Sequence, residues 1–382
     1  MIGLMAASTP RAEVVIDLAA FRRNVAVLAG LADRTGAATM VVVKADGYGH
    51  GAVDVARAAL TAGATWLGAC SLAEALALRE AGITARVLSW LDLPGEDFAA
   101  GVTADVDISV ASTRMLRTVA EAARGVGRRA RIHLKVDTGL SRNGCQPADW
   151  PELVAEAACI PDIEVVAIWS HLACADEIGH PSISLQAERF DTAYRQALAA
   201  GLKPLRHLAN SAALITRPDL HFDLVRPGIA AYGLNPVHVP LDLKPVMTFR
   251  AGVALTKRLP AGESVSYGLT WTTERDTTLA LVPAGYADGV PRSLSGRMEV
   301  LLAGRRLPVV GRVCMDQVVV DCGDLDVHEG DEVVLFGPGD RGEPTAREWA
   351  DKTGTIDYEI VTGMHRPRLR RTYVGVPELV ET

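Results

Sequence analysis

The chain has 382 residues, 49% of them hydrophobic, with 46 acidic against 39 basic side chains. That length suits two ordinary domains or one large barrel, and the apolar share can fill a sizeable core. A formal charge of -7 with no dense run of Lys and Arg argues against a nucleic-acid partner. Arg366, Arg368, Arg370 and Arg371 form a short stretch broken by Pro367 and read as a solvated or interface-facing tail.

The opening MIGLMAASTPRAE lacks the basic and long apolar parts of an export signal. No apolar run is long enough to span a bilayer. Cys70, Cys145, Cys159, Cys174, Cys314 and Cys322 lie far apart without a CxxC pair, which indicates neither a zinc site nor a disulfide framework. A soluble chain in the reducing cytoplasm is expected, with no membrane, nucleic-acid or metal partner.

From Val14 to about Asn235, short runs of Val, Ile and Leu alternate with longer Ala-rich segments of helical period. Strands are predicted at Met40–Lys44, Trp66–Ala69, Val87–Trp90, Val106–Val110, Ile132–Val136, Val165–Ser170, His207–Ala209 and Val225–Ile229. Helices are predicted at Ala52–Ala62, Leu72–Ala81, Thr113–Ala123, Glu152–Ala158 and Ser184–Ala199. Eight strands alternating with helices point to an α/β fold, a parallel (β/α)8 barrel of the TIM type, with an open doubly wound sheet as the rival. Pro236, Pro240 and Pro245 mark a junction. Beyond it, strand-like runs at Met247–Leu255, Thr278–Val282, Met298–Leu302, Val318–Asp321 and Glu332–Phe336, with one short helix at Ala346–Thr353, read as a mostly β domain. The division expected is 13–243 for the barrel and 244–382 for the β domain, with residues 1–16 a segment that could pack against the latter.

In a barrel, chemistry gathers where strands end and loops begin. The polar residues there are Lys44, then Lys135, Asp137 and Arg142, then His171, then Asn210 and Ser211, then Arg226, Gly228 and Ile229. A lysine closing the buried run Val41-Val42-Val43 loses solvation and proton affinity, as a Schiff-base lysine needs; it could equally snorkel to the rim. Gly47-Tyr48-Gly49-His50-Gly51 fails the spacing of a dinucleotide loop and lacks the Lys-Ser/Thr ending of a nucleotide loop, so it reads as a strand-to-helix turn. Barrel phosphate sites often form after strands seven and eight, where Asn210-Ser211 and Arg226-Pro227-Gly228-Ile229 fall, although Asn210-Ser211 also suits a helix cap. In the β domain, Val265-Ser266-Tyr267-Gly268, Gly285-Tyr286-Ala287-Asp288-Gly289 and Gly311–Gln317 set polar or aromatic groups beside glycines; each singly could be an ordinary turn.

Taken together these segments resemble the alanine racemase family. Glu13–Leu18 with Arg23-Asn24-Val25, VVVKADGYGHG, LKVDTGLSRNG (Leu134 to Gly144), WSHLACAD, RPGIAAYG, SYG, GYADG, GRVCMDQ and IDYEIVTG occur in the family's order, from about residue 13 to residue 375. Asp46-Gly47 stands where many members carry Asn-Ala, and Ser141 and Asn143 flank Arg142; neither touches a catalytic position. The resemblance implies a barrel that binds pyridoxal 5'-phosphate, a β domain, and a homodimer whose active sites are shared between subunits.

It implies that Lys44 holds the cofactor covalently and, once released by substrate, acts as the base for D-alanine, with Tyr267 of the neighbouring subunit as the base for L-alanine. Tyr48, Ser211, Gly228, Ile229 and Tyr358 would hold the phosphate, and Asn210 would also belong to the cofactor site. Arg226 would face the pyridine nitrogen. Because arginine does not surrender its proton, that nitrogen stays unprotonated, the electron sink is weak, and placed bases are needed on both faces. His171 would couple Tyr267 to Arg226. Arg142 and the Met315 N–H would bind the substrate carboxylate, a carbamylated Lys135 would hold Arg142, and Asp316 would support. Asp176, Tyr286, Arg292, Arg312 and Tyr358 would line the entrance. The product would be D-alanine for peptidoglycan. Tyr267 and Tyr358 imply a small pocket that takes alanine, serine slowly and lysine poorly. Three rivals share the barrel: a decarboxylase of basic amino acids, which would use a cysteine–aspartate pair that Cys314 and Asp316 weakly imitate; a cofactor-binding barrel, which would leave the β domain without purpose; and a metabolically inert barrel, which would leave the ordered polar rim without cause.

Overall fold

The computed structural model describes residues 11–237 and 239–376. They fall into two compact units, residues 21–243 and residues 11–20 with 244–376.

In the first unit eight parallel strands alternate with helices: β2 (Ala38–Val42), β3 (Trp66–Ala69), β4 (Arg86–Ser89), β5 (Asp107–Val110), β6 (Ala130–Lys135), β7 (Ile163–Trp169), β8 (Leu205–His207) and β9 (Leu224–Val225). Their spatial order is β8-β7-β6-β5-β4-β3-β2-β9. The ring closes between its ends: Asp223 N–H donates to the Arg206 carbonyl at 3.1 Å, Arg226 N–H to the Ala209 carbonyl at 2.9 Å, and Asn210 and Arg226 form a parallel bridge. This is the predicted barrel; the open sheet is excluded. β3 and β5 are buried at every residue, as strands covered on both faces must be. The helices bury small residues against them, such as Val55, Ala56, Ala58 and Ala59 of the helix Ala52–Thr61. Side-chain caps set several starts: Ser71 accepts from Glu74 N–H, Ser112 from Met115 N–H and Asp97 from Ala100 N–H.

Several sequence expectations need correction here: the strands read at His207–Ala209 and Val225–Ile229 run over Leu205–His207 and Leu224–Val225, because the chain leaves the sheet at the polar residues that follow. The first barrel strand ends at Val42, not Lys44, because Val42 and Val43 make the last links to neighbouring strands before the chain turns. The helices Leu18–Asp33 and Phe98–Thr103 were not foreseen.

The second unit is built on a nine-stranded sheet, β11-β14-β17-β16-β15-β18-β10-β1-β19. Its members are β1 (Ala12–Asp17), β10 (Met247–Gly252), β11 (Leu255–Leu259), β14 (Thr277–Val282), β15 (Glu299–Leu302), β16 (Arg305–Val310), β17 (Val318–Gly323), β18 (Glu332–Phe336) and β19 (Arg370–Val374); the ribbon β12 (Ser264–Val265) with β13 (Trp271–Thr272) stands beside it. The run predicted as Met247–Leu255 is two strands, broken at Val253-Ala254. β1 runs antiparallel to β10 and parallel to β19. Its buried Glu13 accepts from Arg250 Nε at 2.8 Å and from Thr372 Oγ1 at 2.8 Å, tying three strands together. Of residues 1–16, expected to associate with this domain, 1–10 lie outside the described residues. Phe249, Phe336 and Trp349 form an aromatic core with centroids 5.0–6.5 Å apart. The unit has a second helix, Asp357–Gly363, besides Ala346–Thr353. At seven residues it shows too little of the helical period to be legible. Among the described residues no helix is long and apolar enough to cross a membrane, and no group of three metal-ligating side chains occurs.

Candidate active site

Lys44 begins a turn whose next residues are left-handed: Ala45, Asp46, Gly47, Tyr48 and Gly49 have φ of 53°, 51°, 62°, 52° and 82°. For L-residues such a run costs about 1–2 kcal/mol each, so it must be held. Glu74 does much of this, accepting from Ala45 N–H at 2.8 Å and from Cys70 N–H at 2.7 Å. Asp46 Oδ1 accepts from Ala52 N–H at 2.8 Å and so starts the following helix. A Cβ on Gly47 would lie 2.8 Å from Val55 Cγ2, so the glycine suits this form of the loop. The turn sets Lys44 Nζ 5.9 Å from the centre of the Tyr48 ring. Burial lowers the Lys44 pKa, opposed by Cys70 and assisted by the Arg142 guanidinium.

Tyr48 leads to a cradle. A Cβ on Gly228 would sit 2.5 Å from Tyr48 Oη, so only glycine lets the phenol approach this backbone. Ser211 Oγ accepts from Gly228 N–H at 2.8 Å and Ala230 N–H at 3.4 Å. Ile229 is buried at the start of the same short helical turn. Asn210 Oδ1 accepts from Ala213 N–H at 3.0 Å, which makes Asn210 the cap of the helix Ser211–Thr216. Phenol, hydroxyl and backbone amides thus meet where a phosphate would fit.

Arg226, only 4% exposed, is fixed by three acceptors. Nη1 donates to His207 Nδ1 at 3.1 Å; Nη2 donates to the Ser170 carbonyl at 2.8 Å and the Leu208 carbonyl at 3.1 Å, and approaches His171 Nδ1 at 3.4 Å. Burial alone lowers its pKa to about 9, and it remains a cation at neutral pH. Lys135 Nζ and Arg226 Cζ lie 4.1 and 4.9 Å from the Trp169 ring centre. Burial, then Arg226 and Arg142, bring the Lys135 pKa down to about 7. Burial and the same guanidinium keep His171 well below its ordinary value, hence neutral. Arg142 itself is exposed, on a loop held by Asp137 Oδ1 accepting from Gly139 and Ser141 N–H at 2.9 and 3.1 Å. Asp176 is exposed on the loop after His171.

The β unit carries its own cluster. Tyr267 stands 72% exposed in the turn joining β12 to β13. Ser266 Oγ donates to the Arg312 carbonyl at 2.9 Å, and the Arg312 guanidinium lies against Gly268. Tyr286 N–H and Ala287 N–H donate to the Cys314 and Met315 carbonyls at 3.0 and 2.9 Å. Arg368 bridges two carboxylates, Asp316 Oδ1 at 2.8 Å and buried Asp288 Oδ1 at 3.0 Å. Asp316 is therefore bound within its own chain, which counts against its receiving a distal amine as the decarboxylase reading requires. Ser295 Oγ links the Arg292 turn to Val313 N–H at 3.0 Å; Arg292 is exposed. Tyr358 is half-buried on the helix Asp357–Gly363.

The barrel thus gathers Lys44, Tyr48, Lys135, His171, Ser211, Arg226, Gly228 and Ile229, and the β unit gathers Tyr267, Tyr286, Arg292, Arg312, Met315 and Asp316. Sequence reasoning missed Glu74, Trp169, His207, His133 and Asp107. The available signal was a polar residue inside an apolar strand, as in Ile132-His133-Leu134, which in a closed barrel points inward.

A desolvated lysine, a buried guanidinium and a cradle of phenol, hydroxyl and backbone amides at the strand ends of a (β/α)8 barrel, with a β domain attached, define an enzyme of the barrel class. Residues 16–236 match the family described as "Alanine racemase, N-terminal domain" and residues 246–373 "Alanine racemase, C-terminal domain". The alanine racemase of Frankia casuarinae is 55% identical, covering 97% of this chain and 98% of the relative. The crystal structure of alanine racemase from D-cycloserine-producing Streptomyces lavendulae matches with TM-score 0.93 and 50% identity, covering 97% of this chain and 98% of that one. Alanine racemase from Streptomyces coelicolor A3(2) matches with TM-score 0.92 and 52% identity, covering 96% and 98%. The chain belongs to the alanine racemase family.

Proposed function

We propose that the chain interconverts L- and D-alanine with pyridoxal 5'-phosphate, as a cytoplasmic homodimer whose D-alanine goes to peptidoglycan. The observation that carries the reading is the convergence, on one barrel rim, of the Lys44 amine, the Tyr48–Ser211–Gly228 cradle and the immobilised Arg226. These residues fit the cofactor. Tyr48, Ser211, Gly228 and Ile229 would hold its phosphate, with Asn210 fixing Ser211 and Tyr358 adding a phenol. Arg226 would meet the ring nitrogen. The bonds to His207, Ser170 and Leu208 use three of its five N–H groups, which leaves donors for that nitrogen. The bound cofactor would acidify the substrate's Cα–H.

The remaining work belongs to this chain. Lys44, its proton affinity lowered by burial, takes or returns the Cα proton on one face. Tyr267 Oη of the neighbouring subunit does so on the other, with neutral His171 and the Arg226 cation as its electrostatic surroundings. Arg142 and the Met315 N–H bind the carboxylate, and Asp316 steadies the Met315 loop through Arg368. Asp176, Tyr286, Arg292 and Arg312 line the way in. Lys135, its pKa brought down to about 7 by burial and the neighbouring guanidinium groups, is poised to add to CO2. Its nitrogen bonds to the carbon, the amine proton goes to water, and the resulting anion holds Arg142.

The test is Cα hydrogen exchange in D2O. Removing one positioned base lowers racemisation by about 10²–10⁴-fold. In Tyr267→Phe, D-alanine should still exchange its Cα proton through Lys44 without inverting, while L-alanine does not. Lys44→Ala should lose both. Undiminished racemisation by Tyr267→Phe in both directions would sink the two-base reading.

A further inference from the structure

The barrel interior below Arg226 holds a line of buried ionisable groups for which the reaction as described has no use. His207 Nε2 is 2.9 Å from His133 Nδ1, and His133 Nε2 is 3.1 Å from Asp107 Oδ2. All three side chains are fully buried. Asp107 is anchored further by Arg86 Nη2 at 2.6 Å on Oδ2 and Arg131 Nε at 2.6 Å on Oδ1. The rings cannot turn freely. Trp169 stacks on His207 at 5.4 Å and 7°, while Trp66 meets His133 edge-on at 5.4 Å. Trp169 is itself fixed by its Nε1 donating to Ser109 Oγ at 2.9 Å.

The direction of donation follows from one end. Burial pushes the Asp107 carboxyl up, but its bond to His133 and the facing cations outweigh this and hold it ionised. An ionised carboxylate only accepts, so His133 carries its proton on Nε2 and offers the lone pair of Nδ1. His207, kept neutral by burial and by Arg226, must then donate from Nε2, which leaves its Nδ1 as an acceptor. Nδ1 is the atom that receives Arg226 Nη1–H. Each tautomer is dictated by the next residue down the barrel.

We propose that Asp107 and His133 are positioning residues for Arg226. A one-way chain of donated hydrogen bonds, Arg226 to His207 to His133 to Asp107, sets the tautomer of both imidazoles and so orients the guanidinium toward the cofactor's ring nitrogen. The proposal rests on the reading of Arg226 as that nitrogen's partner. Reversing either imidazole would set an N–H against an N–H among fully buried groups, where an unmet donor is costly. Outer partners of this kind orient the groups that touch the reacting centre, much as outer residues orient metal-bound histidines.

The experiment compares His133→Leu, His133→Gln and Asp107→Asn as holoenzymes, with 15N-labelled histidine. Gln can copy both roles of the imidazole, its carbonyl accepting from His207 and its amide donating to Asp107; Leu can do neither. In the wild type and in His133→Gln, the His207 15N shifts should show a protonated Nε2 and a bare Nδ1. In His133→Leu and in Asp107→Asn that preference should be lost. With it, the visible absorbance band of the bound cofactor should move, and kcat should fall about tenfold with KM for alanine little changed.

An unaltered His207 tautomer in both His133→Leu and Asp107→Asn would overturn the chain, as would His133→Gln shifting the band as far as His133→Leu does. Arg226→Lys separates this from the underlying reading. If it moves the cofactor band while Asp107→Asn, with its tautomer preference lost, does not, the positioning role is wrong. If Arg226→Lys also leaves the band in place, the ring-facing assignment of Arg226 fails and the positioning role falls with it. Asp107→Asn disturbs a carboxylate with three cationic or imidazole neighbours, so the His133 pair keeps the test decisive if that variant does not fold.

Discussion

Single residues in the barrel are specified by what stands against them. Gly228 is the sharpest case. An alanine there would put its Cβ 2.5 Å from Tyr48 Oη and 3.2 Å from Tyr48 Cζ. Overpacking costs about 1–3 kcal/mol, so Gly228→Ala should displace the phenol and weaken cofactor binding about tenfold; fluorescence titration of the cofactor would read this, and an unchanged Kd would argue that Tyr48 is no phosphate ligand. Lys135 makes a second prediction. Its folded pKa of about 7 lies below the ordinary 10.5, so between those values the unfolded chain binds its proton more readily. Stability should rise with pH across that window in CO2-free buffer, with the penalty fully present below it. Lys135→Met should flatten this rise in thermal melts. Under 13C-labelled CO2 the wild type should show a carbamate carbon resonance that the variant lacks. A melting midpoint equally steep in both proteins would mean that Lys135 is better solvated than its surroundings suggest.

Loops at the ends of elements do the positioning. The turn Gly285–Gly289 clasps the loop 312–317 through backbone hydrogen bonds, and a Cβ on Gly285 would lie 2.3 Å from the Cys314 carbonyl oxygen, 2.4 Å from that of Met315 and 2.6 Å from the Gln317 nitrogen. Backbone cannot step aside as a flexible side chain can. Gly285→Ala should therefore cost about 2–3 kcal/mol of stability and shift the Met315 N–H, raising KM for alanine more than it lowers kcat. Steady-state kinetics with a thermal melt decides it; wild-type values of both would contradict the clasp. On the barrel side, the left-handed run 45–49 has a comparable role. It spends local backbone energy to aim Lys44 and recovers it through Glu74 and Asp46, the pattern expected where strain serves a site.

At the scale of the whole molecule, the β unit leaves Tyr267, Leu269 and Met315 exposed by 72%, 65% and 53%. Large side chains so exposed, two of them assigned to chemistry, suit a surface completed by a second copy. Mixing Lys44→Ala with Tyr267→Ala subunits gives a direct reading. If each site takes its lysine from one subunit and its tyrosine from the other, mixed dimers regain one intact site. Random reassortment should then return about a quarter of wild-type activity from two inactive parents. No recovery after subunit exchange would mean both bases come from the same chain.

Most of the architecture was legible in the chain. Eight short apolar runs between Ala-rich segments announced the barrel, because strands covered on both faces must be apolar throughout and strand ends must carry the polar groups. Lys44, Ser211 and Arg226 could be picked out on that ground. The limits of strands and short helices could not: Val42 rather than Lys44 ends its strand, and the helix Asp357–Gly363 is too short to show a period. Nor could the sequence reveal that Ala12–Asp17, ahead of the barrel, inserts between β10 and β19. Strand pairing depends on which edge a distant segment leaves open. The same holds for Asp107, His133 and His207. They are spaced along three strands as isolated polar residues, and only the folded barrel brings them within hydrogen-bonding distance, where full burial makes each one's proton depend on the next.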